Sequence, residues 1–134
     1  MHQLPLREVA ELSTQTIGTS GEHYVISDLL RQGIECYRPC SDEVNTDLVC
    51  FINGSFRRIQ IKTVGVYKTR TSVEVRMRDN KINNHIDYVA VYLFHEGIIA
   101  YYPYNGEKSI TLALRRAKNN QHERTWFYEF EEIA

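Results

Sequence analysis

The sequence predicts a mixed α/β (α+β) domain, with one leading helix and then a sheet built largely from meandering strands. Three observations carry that reading. An apolar stripe of helical period, Val25, Ile26, Leu29 and Leu30, ends at Gly33. Two strand-like runs, 47–52 and 56–63, flank Asn53-Gly54, the strongest short-range signal for a hairpin. Further β-branched and aromatic runs follow at 72–78, 87–94, 98–103 and 109–114. The chain has 134 residues, 43% hydrophobic and 25% charged. That suffices for one core and leaves little room for another, so residues 1–134 are read as a single domain.

The helix is expected over 19–32, where Thr19 and Glu22 have capping-box spacing. It can extend back through Gly18, and residues 6–11 could add a short helix before it. Ile34 to Arg38 reads as a strand ended by Pro39. If Asn53-Gly54 is a two-residue turn, Ile52 faces Ser55 and Asp47 falls opposite Gln60. Tyr88 to Phe94 suits a buried central strand. Residues 122–132 could close the fold as a helix or trail as an extended tail. No repeat, low-complexity tract or Pro/Gly/Ser-rich linker divides the chain.

No apolar run approaches the ~18 residues needed to cross a bilayer, so no membrane partner is expected. Met1 to Pro5 offers no basic patch followed by an apolar stretch, which argues against a leader. Three cysteines cannot all pair internally and read as reduced thiols of a cytoplasmic protein. The net charge is only −1, but it is unevenly spread. Residues 57–81 carry 8 basic and 2 acidic side chains, against 3 and 8 in residues 1–56. Such a block can follow phosphates, or it can be the solvated face of a strand.

Strand alternation puts Gln60 and Lys62 on one face, and the hairpin register brings Asp47 to them. Glu22 heads the apolar stripe of the helix and so points toward the sheet, unless it only completes the cap with Thr19. Two acids, an amide and a lysine in this order suit metal-assisted phosphodiester cleavage. Carboxylates hold a hard cation such as Mg²⁺ through oxygen, and a lysine can orient or deprotonate the attacking water. A plain cross-strand ion pair between Asp47 and Lys62 is the competing explanation.

Gly18-x-x-x-Glu22, then Asp47, then Gln60-Ile61-Lys62, resembles the PD-(D/E)xK nuclease superfamily. The stretch from Ile17 to Thr63 is similar to archaeal Holliday-junction resolvases. A closer likeness, covering most of the chain including Asp87–Tyr102 and Gly106–Gln121, is to small group I intron-associated (homing) endonucleases of bacteria. The resemblance implies a restriction-endonuclease-like core of mixed sheet flanked by helices. It also implies Mg²⁺-dependent cleavage of double-stranded DNA, with Mn²⁺ as a possible substitute, and a homodimer or dimer of dimers. By position, Glu22, Asp47, Gln60 and Lys62 are then the catalytic set, with Asp47, Gln60 and Glu22 on the metal. Thr46 replaces the proline of the motif, and Gln60 replaces an acid, which removes one negative charge. The alternative is a junction-resolvase-like or catalytically silent DNA-binding or repair module.

For DNA contacts the candidates are Arg57, Arg58, Lys68, Arg70, Arg76, Arg78 and Lys81. Alternation places Arg70, Arg76 and Arg78 on one face with Ser72 and Glu74. Lys108, Arg115, Arg116 and Lys118 form a weaker second patch. Cys36, Cys40 and Cys50 lack the paired C-x₂-C spacing of a zinc site. Nothing matches a P-loop, a dinucleotide fingerprint or a nucleophile elbow. The nine tyrosines could stack bases but suit strand packing better.

Overall fold

A computed structural model of the chain describes residues 12–41, 46–67, 71–77, 85–114 and 124–133. The expected short helix at 6–11 lies outside them. Helix α1 spans Thr14–Arg31. It begins earlier than the capping-box spacing suggests, because Ser13 is the cap: its Oγ accepts the Thr16 amide at 3.1 Å. Thr19 and Glu22 are therefore interior helix positions, and the capping role expected of them is not the one they have. The helix ends as expected. Gly33, at φ 78°, donates to Leu30, and Ile34 donates to Leu29, which satisfies the last carbonyls.

Among the described residues seven strands follow: β1 Glu35–Tyr37, β2 Leu48–Ile52, β3 Ser55–Val64, β4 Ser72–Arg76, β5 Tyr88–Leu93, β6 Ile98–Pro103 and β7 Ser109–Ala113. The β2–β3 hairpin has the register that a two-residue turn dictates, from Ile52↔Ser55 to Leu48↔Ile59. Asn53 and Gly54 both take positive φ, 51° and 83°, as such a turn requires.

Connectivity departs from a meander. The main sheet has the order β1-β2-β3-β5-β6, with β3 and β5 parallel and the other neighbours antiparallel. Between β3 and β5 the chain leaves to form β4, which pairs with β7 in a separate two-stranded sheet. Of residues 122–132, the described part from 124 onward differs from both expectations. Trp126 bridges Ala113, and Phe127–Phe130 form a short 3₁₀ helix.

Each face of the main sheet has its own core. On one face, Val25 and Leu29 of α1 meet Leu48, Cys50, Ile52, Ile59, Ala90 and Tyr101. On the other, Val89, Val91 and Leu93 of β5 meet Val73, Val75, Ile110 and Leu112 of the small sheet, together with Phe127. The β5 side chains alternate between these cores, so this strand is covered on both sides, as its near-continuous apolar run requires. No helix among the described residues is long and apolar enough to cross a membrane.

Candidate active site

At the N-terminal half of α1, a pocket of about 300 Å³ opens between the helix and the end of β3. Thr14, Ile17, Gly18 and Glu22 line it from the helix, Asp47 from the start of β2, and Ile61 to Thr63 with Gly65 and Val66 from β3 and beyond. Three of the four side chains expected to act together, Glu22, Asp47 and Lys62, therefore share one cavity.

Close packing of helix on sheet puts Glu22 there. Gly21 is buried, and a Cβ added to it would lie 1.9 Å from Thr63 Oγ1 and 3.1 Å from both Thr63 Cβ and Tyr92 Cδ2. Only glycine lets α1 come this near β3. The next residue, Glu22, is half-buried at the pocket wall. Sequence reasoning missed the role of Gly21; an interior helical glycine between two apolar turns was its one local signal.

Asp47 reaches the site by leaving the ladder. The pairing ends at Leu48↔Ile59, and the Asp47 amide donates to the Ile59 carbonyl at 2.9 Å. Asp47 and Leu48 thus both lie against Ile59, two residues facing one in the manner of a bulge. The ladder pair of Asp47 with Gln60 expected from the turn does not form. Instead the Asp47 carboxylate accepts the Ile61 amide through Oδ2 at 2.7 Å. That amide would have no ladder partner where β2 stops, so the carboxylate satisfies a backbone donor while being held at the pocket.

Gln60 and Lys62 alternate with Ile59 and Ile61, which pack in the helix-side core. Lys62 lines the pocket; Gln60 does not, and is only 9% exposed. Its Oε1 is buried and has no hydrogen-bond partner among the described residues. A buried amide oxygen left bare is costly, on the order of 1–3 kcal/mol, so its presence beside the site needs a reason. Among the described residues no three His, Cys, Asp or Glu side chains gather to hold a metal ion. A divalent cation in the pocket would have two carboxylates, Asp47 and Glu22, and the Gln60 carbonyl, on the same strand as Lys62, would be a further oxygen donor. All three offer oxygen, the donor that Mg²⁺ and Mn²⁺ prefer, and the bare Oε1 fits that use.

The basic candidates separate. Arg57 lies opposite Cys50 and pairs with Asp87 at 3.7 Å, whereas Arg58 lies opposite Val49 on the other face. Asp87 is engaged on both sides, since its Oδ2 also accepts the Arg58 amide at 2.8 Å. Arg76 is on the outer face of β4, bonded to Glu74 at 3.2 Å, while Val73, Val75 and Met77 point inward. Lys68, Arg70, Arg78, Lys81, Arg115, Arg116 and Lys118 lie outside the described residues. Lys108 is exposed. Most tyrosines serve packing: Tyr92, Tyr101 and Tyr104 are buried, and Tyr24 stacks on Tyr92 at 4.7 Å. Cys36 and Cys50 are direct strand partners, with Sγ atoms 3.7 Å apart. Burial pushes the Cys50 thiol up to about 12, and the neighbouring Cys36 adds to the shift.

The model of the PD-(D/E)XK endonuclease family matches residues 12–133. The chain belongs to that family. It is a PD-(D/E)XK nuclease domain, and Asp47 and Lys62, at the motif's aspartate and lysine positions, line the pocket. Among solved structures it is similar to a bacterial homing endonuclease, I-Ssp6803I, at 18% identity, with 88% of this chain and 86% of that one covered and a TM-score of 0.68. It is also similar to Hjc, a Holliday junction resolvase of the archaeal hyperthermophile Archaeoglobus fulgidus, at 16% identity and a TM-score of 0.47 over 72% of this chain and 83% of that one. No curated protein sequence matches. At such identities the first likeness establishes the restriction-endonuclease-like fold expected of this PD-(D/E)XK domain.

Proposed function

We propose that this nuclease domain is a Mg²⁺-dependent endonuclease that cleaves double-stranded DNA at a specific sequence, as a homing enzyme does. The reading places it in the cytoplasm, as a homodimer or dimer of dimers. One observation carries it: Glu22, Asp47 and Lys62 line a single pocket, and the unpartnered Gln60 carbonyl is two residues from Lys62 on the same strand face. The fold shared with a bacterial homing endonuclease over most of both chains supports the choice of substrate and type.

Asp47, Glu22 and Gln60 would hold the cation. Once bound there, it would supply Lewis acidity at the scissile phosphate and a more acidic water. Asp47 is fixed for this by the Ile61 amide, so it needs no reorganisation as the substrate docks. Lys62 would orient the attacking water or place its charge against the oxygens of the pentavalent transition state. Gly21 keeps α1 against β3 and with it Glu22 at the pocket.

The test is cleavage of a pooled duplex library with Mg²⁺, with Ca²⁺ as the control for binding without turnover. A four-way junction serves as the second substrate. Discrete products from the duplex pool, lost in Lys62→Ala, are expected. Cleavage of the junction alone would assign the domain to resolution instead. No cleavage with Mg²⁺ or Mn²⁺ would leave a silent DNA-binding module.

A further inference from the structure

The outer face of the β1–β2–β3 segment carries three aromatic rings that the cleavage chemistry does not use. Tyr37, Phe51 and Phe56 are 50%, 40% and 64% exposed. They form a contiguous group: the Phe51 and Phe56 centroids are 5.0 Å apart, and Tyr37 meets Phe56 edge-on at 6.1 Å. Register explains the grouping. Phe51 pairs with Phe56 and Tyr37 with Val49, and alternation turns this set away from Leu48, Cys50 and Ile52, which fill the helix-side core. Rings gathered in water on one strand face mark a contact surface.

The surroundings indicate what covers them. Along one face of β3 the side chains run Phe56, Arg58, Gln60, Lys62, from the rings to the active site. Phe56 and Gln60 are ~13 Å apart along the strand at ~3.3 Å per residue, which is about four base steps of stacked DNA at ~3.4 Å each. The exposed Arg58 lies between them. The acid of the patch, Glu35, is opposite Phe51 and accepts the Tyr37 hydroxyl at 2.9 Å. Arg58, level with Tyr37 across Val49, is two residues nearer the site than Phe56, so the positive side of the patch faces the pocket. A strand whose phosphate enters the pocket thus passes a cation and then reaches the rings.

Size argues against a second copy of the chain as the occupant. Three rings of ~150–250 Å² each, about half exposed, offer roughly 300 Å². A standard subunit interface needs ~800 Å² from each partner. A nucleobase needs only a ring face, and stacking on one strengthens binding roughly 5- to 150-fold per base.

We propose that Tyr37, Phe51 and Phe56 form a stacking platform for an unpaired base of the strand that enters the active site, so that the protein favours DNA opened a few nucleotides from the cleaved bond. This rests on the nuclease reading above.

The experiment is fluorescence anisotropy in Ca²⁺ with two probes, a fully paired duplex and the same duplex carrying a central unpaired bubble. Wild-type protein is compared with Phe51→Ala/Phe56→Ala and with Phe56→Trp. The expected result is tighter binding of the bubble by the wild type. The double variant should lose about tenfold or more on the bubble, with at most a twofold change on the duplex, and Phe56→Trp should keep the preference. Thermal melting should stay near that of the wild type, because the rings lie outside both cores. Sedimentation should be the same for all three proteins. Equal loss on both probes, or no loss on the bubble, would overturn the platform. So would a smaller assembly of the double variant, which would make the rings a subunit contact. If wild-type protein bound both probes equally in Ca²⁺ and cleaved duplex DNA once Mg²⁺ replaced it, only this inference would fall. Failure to bind either probe would bring down the nuclease reading as well.

Discussion

The Asp47 carboxylate accepts the Ile61 amide through Oδ2 at 2.7 Å, and this bond ties one metal-ligand candidate to the strand that carries Gln60 and Lys62. It separates two functions of one side chain. Asp47→Asn keeps an acceptor oxygen for Ile61 but loses the charge that attracts a cation. Asp47→Ala loses both and leaves a partly buried donor bare, at about 1–3 kcal/mol. The expected outcome is that both variants are inactive in plasmid nicking, whereas only Asp47→Ala melts clearly lower. Near wild-type nicking by Asp47→Asn would remove Asp47 from the catalytic set.

Gly21 is the point at which α1 is clamped to β3. Alanine there would gain up to ~1 kcal/mol of helix propensity. Its Cβ would sit 1.9 Å from Thr63 Oγ1 and 3.1 Å from Tyr92. Rotation of Thr63 could relieve the first contact but not that with the ring. The overpacking term, about 1–3 kcal/mol, should win. Gly21→Ala is expected to melt several degrees lower and to cleave more slowly, because the shifted helix carries Glu22 with it. Adding Thr63→Ala should recover part of the stability. A Gly21→Ala protein as stable and active as wild type would show that the helix can slide without cost.

Arg76 allows DNA binding to be separated from stability. Its side chain is 79% exposed and bonded to Glu74, a surface pair worth about 0–1 kcal/mol. Arg76→Ala should leave the melting temperature within experimental scatter. If the outer face of β4 meets DNA, the log–log salt slope of binding should fall by about 0.9 for the lost phosphate contact. An unchanged slope would assign this face to solvent.

What was legible in the chain was what short-range chemistry determines. Asn53-Gly54 gave the hairpin its register and Gln60 and Lys62 their common face, because the positive φ values it favours set the register of the following pairs. The register failed at Asp47, where β2 ends and a carboxylate can compete for the free backbone donor at Ile61. The start of α1 was misplaced because Thr19-x-x-Glu22 has capping-box spacing but lies inside the helix, whereas the actual cap, Ser13, pairs with Thr16 and lacks the acid of the box. The parallel β3–β5 pair and the separate β4–β7 sheet join residues about 30 to 40 apart in the chain, such as Ile59 with Tyr88 and Ser72 with Ala113, and such pairing leaves no local trace. Burial of Gln60 was equally hidden, since alternation gives a face and not a depth.

Gln60 stands where the family motif has an acid, and its Oε1 is buried with no partner among the described residues. Two opposing effects decide what a carboxylate there would do. Without metal, Gln60→Glu buries a charge beside the site, which is unfavourable and should lower the melting temperature in the presence of a chelator. With metal, the added charge directly strengthens attraction for the cation. Calorimetric titration with Mg²⁺ or Mn²⁺ should show tighter binding to the free variant than to wild type, and metal should raise the variant's melting temperature by more than it raises the wild type's, since binding to the folded state alone stabilises it by mass action. In the wild type the DNA phosphate would supply the missing anionic ligand, coupling metal binding to correct docking. The effect on cleavage has no single sign, because a charge that holds the cation also repels the phosphate. If Gln60→Glu left metal affinity unchanged while Asp47→Asn lowered it, the Gln60 carbonyl would not face the metal, and its unpartnered state would need a different explanation.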